Sequence, residues 1–320
     1  MNKLLHTATP LAIALAIATA GSAFAQSPTF TTGPASTKNP GLVACGPGSR
    51  TSAVGEIADA SGKVWTVPAA TRFGSAPMAP DLFNECGGTQ LSGLSKLDLS
   101  NVPVMDAGGQ EVFTAYIFAD NHFELSVNGQ LIAVDPVPFT PFNSNVVRFK
   151  ANRPVTLAVM GVDWEENLGL GSERNRGRAY HPGDAGFVMQ VRDAAGAVVA
   201  ITDASWKAQT FYTSPLNTRG CLVIKGAVRD STACSTQSVA DGRAFSAAHW
   251  PIPDGWTAPQ FVDAGWPNAM TFTNDTVGVD NKPAYTNFKA VFDDPAADAA
   301  FIWSSNLVLD NLVLMRKTFK

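Results

Sequence analysis

The sequence has few charged side chains and, beyond its N-terminus, no long apolar run. Asp, Glu, Lys and Arg make up 16% of the 320 residues, and the formal net charge is −4. So weak a charge would attract neither nucleic acid nor an anionic membrane. After residue 25 no stretch approaches the roughly 18 apolar residues of a membrane-spanning helix; even LVLDNLVLM near the C-terminus is interrupted by Asp310 and Asn311. We therefore expect no nucleic-acid partner and no transmembrane segment.

Common signatures of catalysis are also missing. There is no G-x-S-x-G nucleophile elbow, no H-E-x-x-H zinc motif, no P-loop and no dinucleotide-binding G-x-G-x-x-G. After residue 25 the histidines are His122, His181 and His249, which makes a Ser–His–acid triad a poor interpretation. No C-x2-C pair exists to build a thiolate metal site. These absences favour a non-catalytic protein.

The first 25 residues have the three zones of a secretory signal peptide. Lys3 supplies the positive charge, residues 11–20 form an apolar run, and Ala23 and Ala25 are small residues before a cleavage site at Gln26. The run is too short to span a bilayer. We therefore expect the mature chain in the periplasm, at the cell surface or outside the cell.

The four cysteines, Cys45, Cys86, Cys221 and Cys234, agree with export. An even number of cysteines in an exported chain predicts disulfides, and four allow three pairings. We favour Cys45–Cys86 and Cys221–Cys234, because each pair closes a local loop within one segment.

Composition divides the mature chain into three parts. Residues 26–40 are rich in Pro, Ser and Thr and predict a flexible lead-in. Residues 41–104 form a small segment bounded by cysteines, with a short strand at KVWTVP. From residue 105 to 320 the pattern is strongly β, with a long loop at 163–185 and an insertion at 221–245. The predicted strands there include 146–149, 155–161, 186–192, 197–202, 221–228, 288–292, 301–303 and 312–319.

Asn128-Gly129, between two alternating runs, is the clearest local signal. This dipeptide favours a type I′ turn, which pairs Val127 with Gln130 in a hairpin. Continuing the register gives four further opposing pairs: Ser126 and Leu131, Leu125 and Ile132, Phe123 and Val134, and His122 and Asp135. One face is apolar and the other mostly polar, so we expect the polar face to contact water.

Short strands separated by turns, without a sustained 3.6-residue period, predict a mainly β fold. The specific expectation is an antiparallel two-sheet β-sandwich or jelly roll with little helix, preceded by the small disulfide-tied N-terminal segment.

Four segments in order resemble the galactose-binding-like β-sandwich domains. AYIFADNHFELSVNGQLIAVD (115–135) resembles their opening hairpin, ITDASWK (201–207) a strand end, GWTAPQFVDAGWP (255–267) their "GW…FDDSxWP" stretch, and AFIW with VLMR (300–303, 313–316) their closing strands. The resemblance covers roughly residues 105–319. It implies the sandwich fold and a tendency to bind glycans, sometimes beside a structural calcium ion. The sequence departs from the family at Val262, Asp263 and Ala264, where the family usually has Asp-Asp-Ser, and in the 163–185 loop and the 221–245 insertion.

The 163–185 loop is the main candidate for a ligand site, since long loops without a strand pattern are usually functional or disordered. The residues predicted to bind ligand are Trp164, Glu165, Glu166, Arg176, Tyr180, His181 and Asp184. An aromatic ring can stack on a sugar face while charged groups bind its hydroxyls. The alternatives are a solvated, self-paired surface loop, or a glycosidase that uses two loop carboxylates. Glu165 and Glu166 are adjacent and would point in opposite directions, so they do not form such a pair.

Calcium is the favoured cofactor, because it prefers oxygen ligands in loops. The predicted ligands, at strand ends, are Asp120, Asp163 and Asp310. A second candidate metal group, on the hairpin face, comprises His122, Glu124 and Asp135, although ordinary cross-strand contacts explain it equally. Near the C-terminal third, Trp250, Trp256 and Trp266 are either a sugar-stacking platform or, more commonly, buried anchors of a loop.

Together these features predict an exported, non-catalytic protein that binds a glycan or another extracellular ligand. An extracellular hydrolase acting on polysaccharide and a structural, self-associating surface component remain alternatives.

Overall fold

The computed structural model describes residues 26–47, 49–175, 177–238 and 243–320. The predicted signal peptide lies outside them. Within these ranges the protein is mainly β, with antiparallel sheets and few short helices, as predicted. The strands are β1 (Thr29–Thr32), β2 (Ser36–Pro40), β3 (Ala53–Ala58), β4 (Val64–Val67), β5 (Asp81–Asn84), β6 (Val104–Asp106), β7 (Glu111–Asp120), β8 (His122–Val127), β9 (Gln130–Val134), β10 (Asn143–Ala151), β11 (Val155–Val162), β12 (Gly186–Arg192), β13 (Val198–Ile201), β14 (Lys207–Leu216), β15 (Val223–Lys225), β16 (Val228–Asp230), β17 (Ser246–His249), β18 (Met270–Phe272), β19 (Phe301–Trp303) and β20 (Asp310–Phe319). The helices are α1 (Asn274–Val277), α2 (Pro283–Thr286) and α3 (Lys289–Phe292), and 3-10 turns occur at Leu94–Lys96, Leu99–Asn101 and Arg219–Cys221.

Two large sheets carry most of the strands. The seven-stranded sheet has the order β1-β17-β14-β20-β11-β8-β9, and all its pairs are antiparallel. The eight-stranded sheet has the order β18-β19-β12-β7-β10-β5, with β13 beside β12 and β6 parallel to β10. Two small sheets, β2-β3-β4 and β15-β16, lie outside them.

Side chains from both large sheets form one apolar core. Phe113 and Ile117 of β7 belong to it together with Leu157 of β11 and Val313 of β20, all without exposed surface. Because successive strand residues point to opposite faces, the neighbouring residues must be buried elsewhere or meet water.

A second apolar core covers the other face of the seven-stranded sheet. Met160 and Val162 of β11 and Leu314 of β20 point into it, and Trp164 and Trp250 pack there from outside the sheet. This sheet is therefore buried on both faces. Its inner strand β11, between β20 and β8, is buried at all eight positions, a pattern typical of strands covered on both sides.

The hairpin of β8 and β9 departs from its predicted register. Val127 pairs with Gln130 and Ser126 with Leu131, as expected, but a bulge then places Leu125 opposite Ala133 and Glu124 opposite Val134. A bulge inserts one residue and shifts every later pair, which the turn signal does not encode. The predicted water-facing side is also wrong, because every residue of β8 is buried, under the second core.

Other predicted strands agree with the structure more closely. The bounds of 186–192 and 301–303 match β12 and β19, and 155–161 and 312–319 lie within β11 and β20. The segment 288–292 is wrong: it contains the helix α3, whose Val291 and Phe292 are buried. A segment of five residues, four of them apolar, fits either period, so its pattern does not discriminate between a strand and a helix. The segment 221–228 is divided between a 3-10 turn and the hairpin strands β15 and β16.

The predicted flexible lead-in instead contains two strands. β1 pairs with β17 along its whole length, and β2 pairs with β3. Ser and Thr are compatible with edge strands as well as with linkers, so composition alone missed the pairing.

Both predicted disulfides are present, Cys45–Cys86 and Cys221–Cys234. They close loops with sequence separations of 41 and 13 residues and indicate an oxidising compartment. Among the described residues, no helix has the length and apolarity to cross a membrane.

Gly161, the penultimate residue of β11, allows the sheet to approach a tryptophan. A Cβ placed there would lie 2.5 Å from Trp303 and 2.8 Å from Met315. We expect Gly161→Ala to lower the free energy of unfolding by about 1–3 kcal/mol, because both core side chains must move. Denaturant unfolding measures this. Gly46→Ala is the control, since nothing lies within 4 Å of a Cβ there, and an equal loss in both variants would contradict the packing argument.

Candidate functional site

Three adjoining cavities meet at Arg50, and we call their lining the Arg50 groove. The first, about 440 Å³, lies between Cys45 and Phe142; the second, about 620 Å³, between Thr37 and Tyr180; the third, about 290 Å³, beside Asp120. Arg50 lines all three. The groove forms where the cysteine-bounded N-terminal segment meets the 163–185 loop.

Arg50 is held on several sides. Its Nε donates to Thr140 Oγ1 at 3.0 Å and its guanidinium donates to Glu173, with Glu166 Oε1 3.9 Å from Nε. The guanidinium carbon lies 4.3 Å from the ring centroid of Phe139. A planar guanidinium fixed by ion pairs and an aromatic ring is a pre-oriented donor. Sequence reasoning missed Arg50; its only local signal is the position five residues after Cys45.

Glu165 organises the first half of the 163–185 loop from the inside. It is buried, and its carboxyl accepts hydrogen bonds from the backbone N–H of Gly169 at 2.6 Å and from that of Gly171. The hydroxyl of Tyr212, on β14, donates to it at 3.1 Å. Burial raises the pKa of Glu165 to about 8, against the opposing effect of these donors. The loop is thereby fastened to the seven-stranded sheet.

Glu166 points the other way and closes the second half of the loop. Its carboxylate accepts from the backbone N–H groups of Arg174 and Asn175. Backbone bridges join Asn167 with Ser172 and Glu173 with His181. The loop is thus largely self-paired, and it presents selected side chains to the groove.

The smallest cavity has an unusual charge composition, and we call it the acidic pocket. Its lining includes Asp120, Glu173, His181, Asp184 and Lys282. Lys282 Nζ lies 3.6 Å from Asp120 Oδ2, and it also lies 3.7 Å from the ring centroid of Phe142. Carboxylates therefore dominate a concave site that also contains Lys282 and Arg50. Lys282 is positioned by Asp120, and Arg50 by its hydrogen bond to Glu173.

Asp163 lies directly behind the acidic pocket. It is 2% exposed, and its Oδ1 has no hydrogen-bond partner. Burial, followed by the neighbouring Glu173 and Asp120, raises the pKa of Asp163 well above its ordinary value. Burial likewise raises the pKa of Asp120 to about 8, with Lys282 opposing the shift. Such shifts are typical of functional sites.

The predicted ligand residues lie in different places, and only some of them line the groove. Glu166 and Tyr180 line the 620 Å³ cavity, and His181 and Asp184 line the acidic pocket. Trp164 is 1% exposed, with its indole N–H bound to the Ala53 carbonyl. A ring buried in this way has no face open for stacking, and Glu165 is equally buried. Arg176 lies outside the described residues.

The predicted metal ligands separate in space. Asp120 lines the acidic pocket and Asp163 lies behind it, whereas the carboxyl group of Asp310 accepts hydrogen bonds from Thr213 at 2.7 Å and Ser304 at 2.6 Å. Across the described ranges, no group of three or more His, Cys, Asp or Glu side chains has the geometry to hold a metal ion. A calcium site composed of Asp120, Asp163 and Asp310 is therefore not assembled.

The hairpin group is not assembled either. Glu124 accepts from the backbone N–H of Arg72, Asp135 from Val137 and Asn143, and His122 lies edge-on to Trp164. Burial lowers the pKa of His122 to about 3, so the ring is neutral.

The C-terminal tryptophans are mainly anchors. Trp250 and Trp266 are buried in the second core, while Trp256 packs partly buried against it. The indole N–H of Trp250 donates to the Gln26 carbonyl at 2.9 Å, which ties the first described residue to the second core.

No family model matches the chain, and comparisons with curated proteins and with solved structures find no match.

Glu165→Gln tests the role assigned to the inward-facing glutamate. At pH 9, above the pKa of about 8, both carboxylate oxygens accept, whereas the amide replaces one of them by a donor that must face Gly169 N–H, Gly171 N–H or the Tyr212 hydroxyl. We expect a loss of about 1–3 kcal/mol in the free energy of unfolding. Glu111→Gln is the control, because Glu111 makes only an exposed pair with Arg153. Equal stabilities for the two variants would rule out this fastening.

Asp120 predicts a direction for the pH dependence of stability. Because folding raises its pKa, protonated Asp120 favours the folded state; this contribution is complete below about pH 4 and is lost as pH rises through about 8. We expect unfolding free energy to fall between pH 5 and 8, by on the order of 1 kcal/mol per unit at most from one group. Asp120→Asn should flatten the slope. Asp254→Asn, on an exposed turn, should not, and equal slopes in all three proteins would refute the assignment.

Proposed function

We propose that this chain is an exported, non-catalytic ligand-binding protein with a galactose-binding-like β-sandwich. Its ligand is a polyhydroxylated molecule of glycan type, held in the Arg50 groove. The single observation that carries the proposal is that three cavities, of about 440, 620 and 290 Å³, adjoin at one immobilised arginine. Their sizes approach or fall within the usual range of ligand sites, and an extended ligand would contact more than one.

The side chains of the groove suit a hydroxyl-rich ligand. Arg50 offers fixed donors, Glu166 offers a carboxylate acceptor, and Tyr180 offers a half-buried ring. Charged groups form stronger hydrogen bonds to hydroxyls than neutral groups do, and aromatic rings cover the apolar face of a sugar. Trp164 is not part of this proposal, because its ring is covered.

The arrangement of the sheets supports the proposed sandwich fold. Side chains from two large antiparallel sheets share one core, as two packed sheets do. The disulfides support export, because they persist in oxidising compartments.

An extracellular hydrolase is the second candidate. The observation that favours it is Asp120, a buried carboxyl in a pocket whose pKa burial raises to about 8. A carboxylic acid that keeps its proton near neutral pH can act as a general acid. Lys282 Nζ, 3.6 Å from Asp120 Oδ2, opposes this shift, because a neighbouring cation favours the ionised carboxylate.

Depletion of the purified mature protein by a panel of immobilised and insoluble polysaccharides tests the proposal, with calcium and with chelator. We expect depletion by a defined subset and at least a tenfold loss of affinity in Arg50→Ala, and a smaller loss in Tyr180→Ala. The control is Arg153→Ala, since Arg153 also pairs with a glutamate and faces a phenylalanine ring, outside the groove.

Three outcomes would contradict the proposal. Depletion by none of the polysaccharides removes the glycan ligand. Equal binding by Arg50→Ala and Arg153→Ala removes the groove. Soluble products that appear with the wild type and disappear with Asp120→Asn favour the hydrolase.

A further inference from the structure

The acidic pocket contains more carboxyl groups than cations. Asp120, Glu173 and Asp184 line it and Asp163 lies behind it, whereas the arginine and the lysine among its described lining residues are Arg50 and Lys282. Arg50 is already committed to Glu173, and Lys282 is shared between Asp120 and the Phe142 ring. His181, from the same loop, also lines the pocket. Fully ionised, the four carboxyls exceed the two cations, and the pocket attracts positive charge.

A separate observation shows that the pocket also lacks hydrogen-bond donors. Asp163 Oδ1 is buried and unpartnered, and an unsatisfied carboxyl oxygen costs free energy. A Cβ placed on Gly183, a lining residue, would lie 3.3 Å from Asp163 Oδ1 and 3.1 Å from Glu173 Oε1. Because residue 183 is glycine, no side chain covers these two oxygens on that side.

We propose that the acidic pocket binds a primary ammonium group, so that the ligand of the Arg50 groove is a glycan with free amino groups. The second half of this statement rests on the proposed function. An ammonium group brings three N–H donors and a compact positive charge, which answer the two deficits of the pocket together. A sugar hydroxyl brings one donor and no charge.

A divalent cation would fit the acidic pocket less well than an ammonium group. Calcium takes six to eight oxygen ligands at about 2.3–2.6 Å, and the side chains of the described residues offer no metal-holding group of three. An ammonium group needs no such shell, because its three N–H groups donate hydrogen bonds over donor–acceptor distances of about 2.7–3.2 Å.

Binding of an ammonium group has a proton signature. Burial raises the pKa of Asp163 and raises that of Asp120 to about 8, so Asp120 holds a proton near neutral pH in the free protein. A cation placed beside them favours their ionised forms, and protons leave the protein as the ligand binds. A neutral sugar has no such effect.

Titration calorimetry at pH 6 tests the inference with a glucosamine tetramer and its fully N-acetylated counterpart. The two share one skeleton and differ in the ammonium groups. We expect the free-amine tetramer to bind at least tenfold more tightly and to release protons, seen as a heat that depends on the buffer. Asp163→Asn and Asp184→Asn should remove most of this preference, while Asp254→Asn should retain it. Asp184 is exposed at the mouth, so its variant keeps the test valid if Asp163→Asn fails to fold.

The outcomes separate this inference from the proposed function. Equal binding of both tetramers, or tighter binding of the N-acetylated one, overturns the ammonium site and leaves the glycan groove standing. Binding of hexane-1,6-diamine that is lost in Asp184→Asn, with no polysaccharide bound, supports the ammonium site and overturns the glycan ligand. Amine binding that persists unchanged in both acid variants, or that requires calcium, overturns the inference.

Discussion

Burial of the seven-stranded sheet on both faces is the constraint from which the rest of this structure follows. One face shares a core with the eight-stranded sheet. The other would expose Met160, Val162 and Leu314, so it must be covered by segments outside the two large sheets. Those segments are the N-terminal region, the 163–185 loop and the tryptophan-bearing region near residue 250. The covering layer is irregular, and the Arg50 groove is a gap between its pieces.

The two neighbouring glutamates of the loop have different roles in this layer: one holds the loop to the sheet, and the other lines the groove. Glu165 faces inward and joins the loop to Tyr212 of the sheet, while Glu166 faces outward toward Arg50. Alternation along an extended backbone places them on opposite sides. The inward side chain fixes the loop, and the outward one belongs to the groove. Rigid support beneath a binding surface reduces the entropy lost when a ligand binds.

The sequence predicts the architecture better than the site. Strand patterning, the Asn128-Gly129 turn and cysteine spacing correctly indicate a mainly β chain, the start of one hairpin and both disulfides. These signals are local. The bulge after Ser126 and the burial of β8 are not local, because they depend on what covers the sheet. Trp164 was expected to bind ligand because the composition of the 163–185 loop suits a binding loop. Only tertiary packing places its ring inside the protein. Arg50 had no periodicity or motif, and its importance arises from three cavities that meet in space.

The walls of the acidic pocket come from distant parts of the chain: Arg50, Asp120, Glu173 and Lys282 are separated by more than 200 residues in total. Contacts between residues so far apart in sequence form slowly, because a long loop must close, with a loss of entropy, before the contacts can stabilise the fold. A chain that is folded only as far as the hairpin therefore lacks the pocket walls that Glu173 and Lys282 supply. The pocket is therefore complete only after the chain has folded as far as Lys282.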